Sequence, residues 1–146
     1  MAQDPDASAA WREQRRAAAD AQASAMDRRK AAETERARRI VADFVAAAQE
    51  RGLAPRSLVA RAYSGRGEYR TGLLGWYVRR NRTLAVGVDG EFYILTVPGG
   101  LRARLRGAVP PPADPPLVVG AGGRDGESIP LQELLQLRLD AGDNWP

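Results

Sequence analysis

Thr83-Leu84-Ala85-Val86-Gly87-Val88-Asp89-Gly90-Glu91-Phe92-Tyr93-Ile94-Leu95-Thr96-Val97 decides the fold of this chain. Two runs of branched and aromatic residues flank Asp89-Gly90, a dipeptide suited to the positive φ angles of a tight hairpin turn, so the stretch predicts two antiparallel strands. A two-residue turn on Asp89-Gly90 sets Val88 opposite Glu91, Gly87 opposite Phe92, Val86 opposite Tyr93, Ala85 opposite Ile94 and Leu84 opposite Leu95. Large residues then face small ones across the pair.

Upstream, Arg70 to Val78 reads as a third strand, and Leu58 to Tyr63 as a fourth. A hairpin turning on Arg80-Asn81 places Trp76 opposite Ala85 and Tyr77 opposite Leu84, repeating the same complementarity. The meander has two apolar faces. One, with Leu73, Tyr77, Leu84, Val86, Tyr93 and Leu95, is expected to lie under an amphipathic helix; the other, with Trp76, Val78, Ala85, Phe92 and Ile94, needs a second cover or a partner.

Residues 7 to 51 hold no proline and no glycine and are rich in Ala, Arg, Glu and Gln, which predicts one or two helices. Only the last third is amphipathic, through Ala37, Ile40, Val41, Phe44, Val45 and Ala48. Gly52 supplies a cap and Pro55 forbids continuation. Between Trp11 and Arg36, Met26 is the only other large apolar residue, so this segment reads as a solvated, coiled-coil-like helix awaiting a partner, or as disordered in isolation.

Downstream, Leu101 to Val109 is a basic segment, strand or short helix, followed by a stiff proline-rich connector at 109–116. Leu117 to Val119 forms a short strand, Gly120 to Gly126 a flexible loop, and Ser128 caps a helix from Ile129 to Leu139 with Leu131, Leu134, Leu135 and Leu139 as its stripe, the natural lid for the second face. The expected fold class is α+β: a small antiparallel meander of four to five strands, packed by an N-terminal and a C-terminal helix, one on each face. Residues 1–35 form a helical arm and 36–146 the α+β domain.

The residue inventory restricts the chemistry. Of 22 basic residues all but Lys30 are arginine, and there is no His and no Cys, so imidazole bases, thiolate nucleophiles and the usual zinc, copper and haem ligands are missing. No metal site and no cofactor is expected. Acid–base work would fall on carboxylates, of which Glu68, Asp89 and Glu91 are the closest grouping, and these read better as ion-pairing groups beside Arg66 and Arg70. Val118-Val119-Gly120-Ala121-Gly122-Gly123 starts like a dinucleotide-binding turn, but Asp125 stands at the third glycine position and no βαβ unit surrounds it. The chain is not expected to be an enzyme.

Charge is sorted along the sequence: residues 12–39 carry net +4, residues 56–82 net +6 and residues 110–146 net −4. Strand directions return the chain after Val97 to the end of the sheet that holds the 79–82 turn, so Arg79, Arg80, Arg82, Arg102, Arg104 and Arg106 are the candidate anion- or partner-binding residues. Tyr63, Tyr69 and Trp76 are candidate aromatic contacts beside them; Tyr63 and Tyr69, flanking a glycine loop, are expected to be exposed, and Trp76 reads as core. An acidic tail over that basic edge is the competing reading. The expected function is a small cytoplasmic interaction or adaptor module with a protein partner, docking through the arm and the arginine edge; the alternative is a nucleic-acid-binding accessory protein using the same edge. No membrane contact is expected, because no apolar run is long enough to span a bilayer and the start of the chain is acidic.

Overall fold

The computed structural model describes residues 5–120 and 127–145. The fold is α+β, with a long first helix, a five-stranded and mostly antiparallel sheet, and a last helix packed against it. Helix α1 runs unbroken from Pro5–Glu50. It buries Ala37, Val41, Phe44, Val45 and Ala48, the three- and four-residue spacing legible in the sequence, with Ile40 half-buried beside them. Its end is a paired cap: Gly52 N–H donates to the Gln49 carbonyl and Leu53 N–H to that of Ala48, with Gly52 at φ 68°, where a side chain would be strained.

Strands β1 (Arg56–Ala62), β2 (Glu68–Tyr77), β3 (Leu84–Gly87), β4 (Phe92–Ile94) and β5 (Thr96–Val97) follow. Their order across the sheet is β4-β3-β2-β1-β5, with β5 parallel to β1. β4 and β5 are two halves of one segment, and Leu95 between them joins both edges: its N–H donates to Thr83 and its carbonyl accepts from Arg61. The sheet is therefore curled into a closed form rather than laid out as an open meander. The curl has a local cause in β2. The register against β1 slips between Ser57 and Val59, where Gly72 at φ 72° lets β2 bulge and Thr71 turns its buried hydroxyl onto the Leu58 carbonyl at 2.6 Å.

Both hairpins differ by one residue from the register read in the sequence. Observed pairs are Leu84 with Ile94, Ala85 with Tyr93 and Val86 with Phe92, and on the other side Trp76 with Val86 and Tyr77 with Ala85. Asp89-Gly90 is part of a three-residue loop closed by Gly87 N–H to Glu91, because the Asp89 carboxylate accepts from Glu91 N–H at 3.0 Å and from the Tyr93 hydroxyl at 2.6 Å. The two slips cancel for β2 against β4 and turn β3 over, since alternation has a period of two.

Two cores result. The outer one joins Trp76, Val78, Val86 and Phe92 to the anchored part of α1, to Val119 and to helix α3 (Leu131–Ala141). The inner one, within the curl, holds Leu58, Ala60, Tyr69, Tyr77, Ala85, Tyr93, Leu95 and Val97, with Trp145 at its margin. Phe44 meets Trp76 edge-on at 5.8 Å, and the Trp76 indole N–H donates to the Leu53 carbonyl at 3.0 Å, locking the helix cap to the sheet. The two helices thus share one face instead of taking one each, and the opposite face is filled by the curl itself.

The basic segment after β5 is a short helix, α2 (Leu101–Arg106). The proline connector leads to β6 (Val118–Val119), which pairs with β7 (Ile129–Pro130). α3 starts two residues later than the sequence suggests, with Pro130 and not Ser128 at its cap position and no side-chain cap bond. Residues 121–126, most of the expected flexible loop and of the glycine run, lie outside the described residues. No helix among the described residues is long and apolar enough to cross a membrane.

Candidate functional site

The arginines are presented by two elements. Arg79, Arg80 and Arg82 lie in the loop between β2 and β3, which is tightened by Arg82 N–H to the Arg79 carbonyl and by Asn81 accepting from both the N–H and the hydroxyl of Thr83. Arg102, Arg104 and Arg106 lie on α2. Strand direction does bring the chain back beside Thr83, at Leu95. It then crosses to β1, and α2 settles over the start of β2, where Ala108 N–H donates to the Arg70 carbonyl at 2.9 Å. The six guanidiniums therefore hang from two anchor points, one past each end of the bent β2.

Their surroundings differ. Arg79 donates to the Gly120 carbonyl at 2.9 Å, Arg80 lies 5.7 Å from the centre of the Trp145 ring, and Arg82 lies 5.4 Å from that of Tyr77. On α2 the three arginines are exposed and alternate with Leu101 and Leu105, which are also exposed. Ion pairs of the described residues engage other arginines: Arg38 with Glu91 and Asp114, Arg51 with Asp140, Arg61 with Glu68 and Arg16 with Glu13. The acidic tail pairs with Arg51 through Asp140, which also edges the groove that Arg79 and Arg80 line, and Asp143 accepts from Ala54 N–H.

Of the aromatic candidates, only Tyr63 is exposed, at 72%. Trp76 is core, as read in the sequence. Tyr69 corrects its expectation: it is buried and accepts from Gly100 N–H, because the closing of β5 onto β1 carries the chain over it. Glu68 and Glu91 do form ion pairs, but with Arg61 and Arg38 and not with Arg66 or Arg70, and Asp89 is held instead by hydrogen bonds from Glu91 N–H and the Tyr93 hydroxyl.

Arg138 is the residue that sequence reading passed over. It is 3% exposed, within the outer flank of α3, and its guanidinium donates to the Tyr77 carbonyl at 2.8 Å and the Gly142 carbonyl at 2.7 Å. Both partners are neutral. Burial, then the nearby Arg56, lowers its pKa from the usual arginine value, with Asp143 opposing. The signal was present: Leu131, Leu134, Leu135 and Arg138 keep the spacing of one helical face, so a cation stands where the next stripe residue belongs.

Trp145 gathers these groups. Arg138 lies 5.0 Å from its ring centre, Arg56 donates to its carbonyl, and its indole N–H is buried with no acceptor among the described residues. Beside it a groove of about 630 Å³ opens between the 79–81 loop and α3, floored by Val78, Leu134 and Leu137 and edged by Arg80, Asn81 and Asp140.

Compared with known protein families, with curated proteins and with solved structures, the chain matches none.

Proposed function

We propose that this chain is a non-enzymatic interaction module of the cytoplasm, which docks a protein partner through its first helix while the curled sheet serves as the anchor. The observation that carries this reading is the reach of α1. From Pro5 to about residue 29 every residue but Ser8 is exposed, so a rod of about 37 Å extends past the last contact near Lys30. Within it Trp11 and Met26 are 56% and 65% exposed. A helix of this length with so little to bury is sustained by alanine propensity, and a partner helix laid along it would bury both side chains.

A second reading, nucleic-acid binding, is favoured by one observation: Arg102, Arg104 and Arg106 are exposed on a helix that contains no acidic residue. The two separate in one experiment. The full chain, the chain lacking residues 1–29, and Arg102→Glu/Arg104→Glu/Arg106→Glu are compared for capture of proteins from the native host and for binding RNA and DNA at two salt concentrations. The adaptor reading expects a captured protein that is lost on truncation and kept in the triple variant, with an unchanged melting temperature. Nucleic-acid binding that falls steeply with salt, and that is lost in the triple variant, establishes the alternative.

A further inference from the structure

We propose that the groove between the 79–81 loop and α3 binds a small organic anion: an aryl or branched alkyl group bearing a carboxylate or a phosphate. The inference stands apart from the arm and would hold whatever the arm contacts.

The floor is apolar, with Val78 and Leu134 buried and Leu137 51% exposed, the one large apolar side chain of α3 in the exposed class. A groove of about 630 Å³ lies within the range of small-molecule sites and above what an isolated solvent defect occupies. The wall is cationic. Arg79 and Arg80 line it, Arg80 at 5.7 Å from the centre of the Trp145 ring, and no ion pair of the described residues includes either; Arg138 and Arg56 contact Trp145 without lining the groove. Asp140, the acid at the rim, is held by Arg51 at 3.7 Å and by the Gln136 amide at 2.9 Å.

Burial, and after it the neighbouring Arg56, lowers the pKa of Arg138, with Asp143 opposing. An anion in the groove gains a charge-assisted bond from Arg80. Asn81 adds a donor: its carbonyl oxygen is occupied by Thr83, which leaves its amide nitrogen at the groove edge. Apolar floor and anionic head are thus required together. A bare inorganic anion gains nothing from Leu134 and Leu137, and an uncharged hydrophobe gains nothing from Arg80.

The probe for the test is 8-anilinonaphthalene-1-sulfonate, titrated by fluorescence and calorimetry against the full chain, with uncharged N-phenyl-1-naphthylamine as its comparison. One site per chain is expected, with the uncharged compound bound at least about tenfold more weakly. Arg80→Ala is expected to raise Kd for the sulfonate roughly tenfold, with Leu137→Glu acting in the same direction, while Arg104→Ala changes it by less than about twofold. Circular dichroism of each variant keeps a folding defect from imitating lost binding. Displacement of the probe by 1-naphthoate or 1-naphthyl phosphate supports the assignment and ranks the two head groups. The assignment is overturned by displacement with neither, by equal effects of Arg80→Ala and Arg104→Ala, or by the uncharged compound binding as tightly as the sulfonate. Truncation of residues 1–29, which tests the arm, is expected to leave probe binding unchanged.

Discussion

The outer and inner cores solve different problems. Outside, α1 and α3 lay Phe44, Val41, Leu131 and Leu135 on Trp76, Val86 and Phe92, and cohesion comes from large apolar side chains in close packing. Inside the curl, Leu58, Leu95 and Val97 pack with Ala60, Ala62 and Ala85 between three tyrosines. Each tyrosine brings a hydroxyl that must be satisfied. Tyr77 accepts from Val59 N–H at 2.8 Å, Tyr93 donates to Asp89, and Tyr69 accepts from Gly100 N–H. The inner core is therefore also a set of hydrogen bonds that hold the bulge, the β3–β4 loop and the start of α2 in place. Packing volume stabilises one core; volume and hydroxyl partners together define the other.

Phe44→Ala is the largest test of this contrast. It empties the centre of the outer core, and a loss of about 3–5 kcal/mol is expected, read as a lower midpoint in denaturant with an unchanged slope. A smaller effect would mean that α1 is a strap and not a structural layer. Arg138→Ala acts where the two cores meet and leaves the Tyr77 and Gly142 carbonyls without their donor, at an expected cost of about 2–3 kcal/mol by the same measurement.

Tyr93→Phe keeps the ring and removes only the bond to Asp89, so about 1 kcal/mol is expected near neutral pH. Burial, with the Asp89 bond next, raises the Tyr93 pKa from 10.0 to about 12. A phenol whose folded pKa lies above its unfolded value stabilises fully below pH 10 and loses that contribution between pH 10 and about 12. The denaturation midpoint of the unmodified chain should fall across that window more steeply than that of Tyr93→Phe. Parallel curves would show that the hydroxyl bond contributes nothing to the inner core.

Much of this arrangement was legible in the residues. Ala37 to Ala48 gave the buried face of α1, Gly52 its end, and Asp89-Gly90 the central hairpin, because each is a local signal with a local cause. Register was not legible to one residue. Leu84, Ala85, Val86 and Val88 are apolar on both faces, so alternation could not orient β3, and the deciding contact is a bond from Asp89 to Tyr93 across the turn. Closure of the sheet depends on β5 meeting β1 over 34 residues away in sequence, which no pattern of period two announces. In the candidate site, the arginines of the 79–82 loop were named from sequence, but the groove beside them also needs Leu134, Leu137 and Trp145, which reach it only through the packing of α3.

The double attachment of Leu95 has a consequence for the chain's behaviour in company. Phe92-Tyr93-Ile94-Leu95-Thr96-Val97 is uncharged, free of proline and glycine, and rich in residues that favour extended structure, the composition of a segment prone to cross-β aggregation. Here its backbone is spoken for on more than one side: Phe92 by β3 and by Ala113, Leu95 by Thr83 and Arg61, Val97 by Tyr63. Curling the sheet divides this segment between two neighbours, β3 and β1, which leaves only short lengths of edge on which a neighbouring molecule could add a strand. Any substitution that springs Leu95 from either neighbour would expose the most adhesive stretch of the protein before it unfolded the rest.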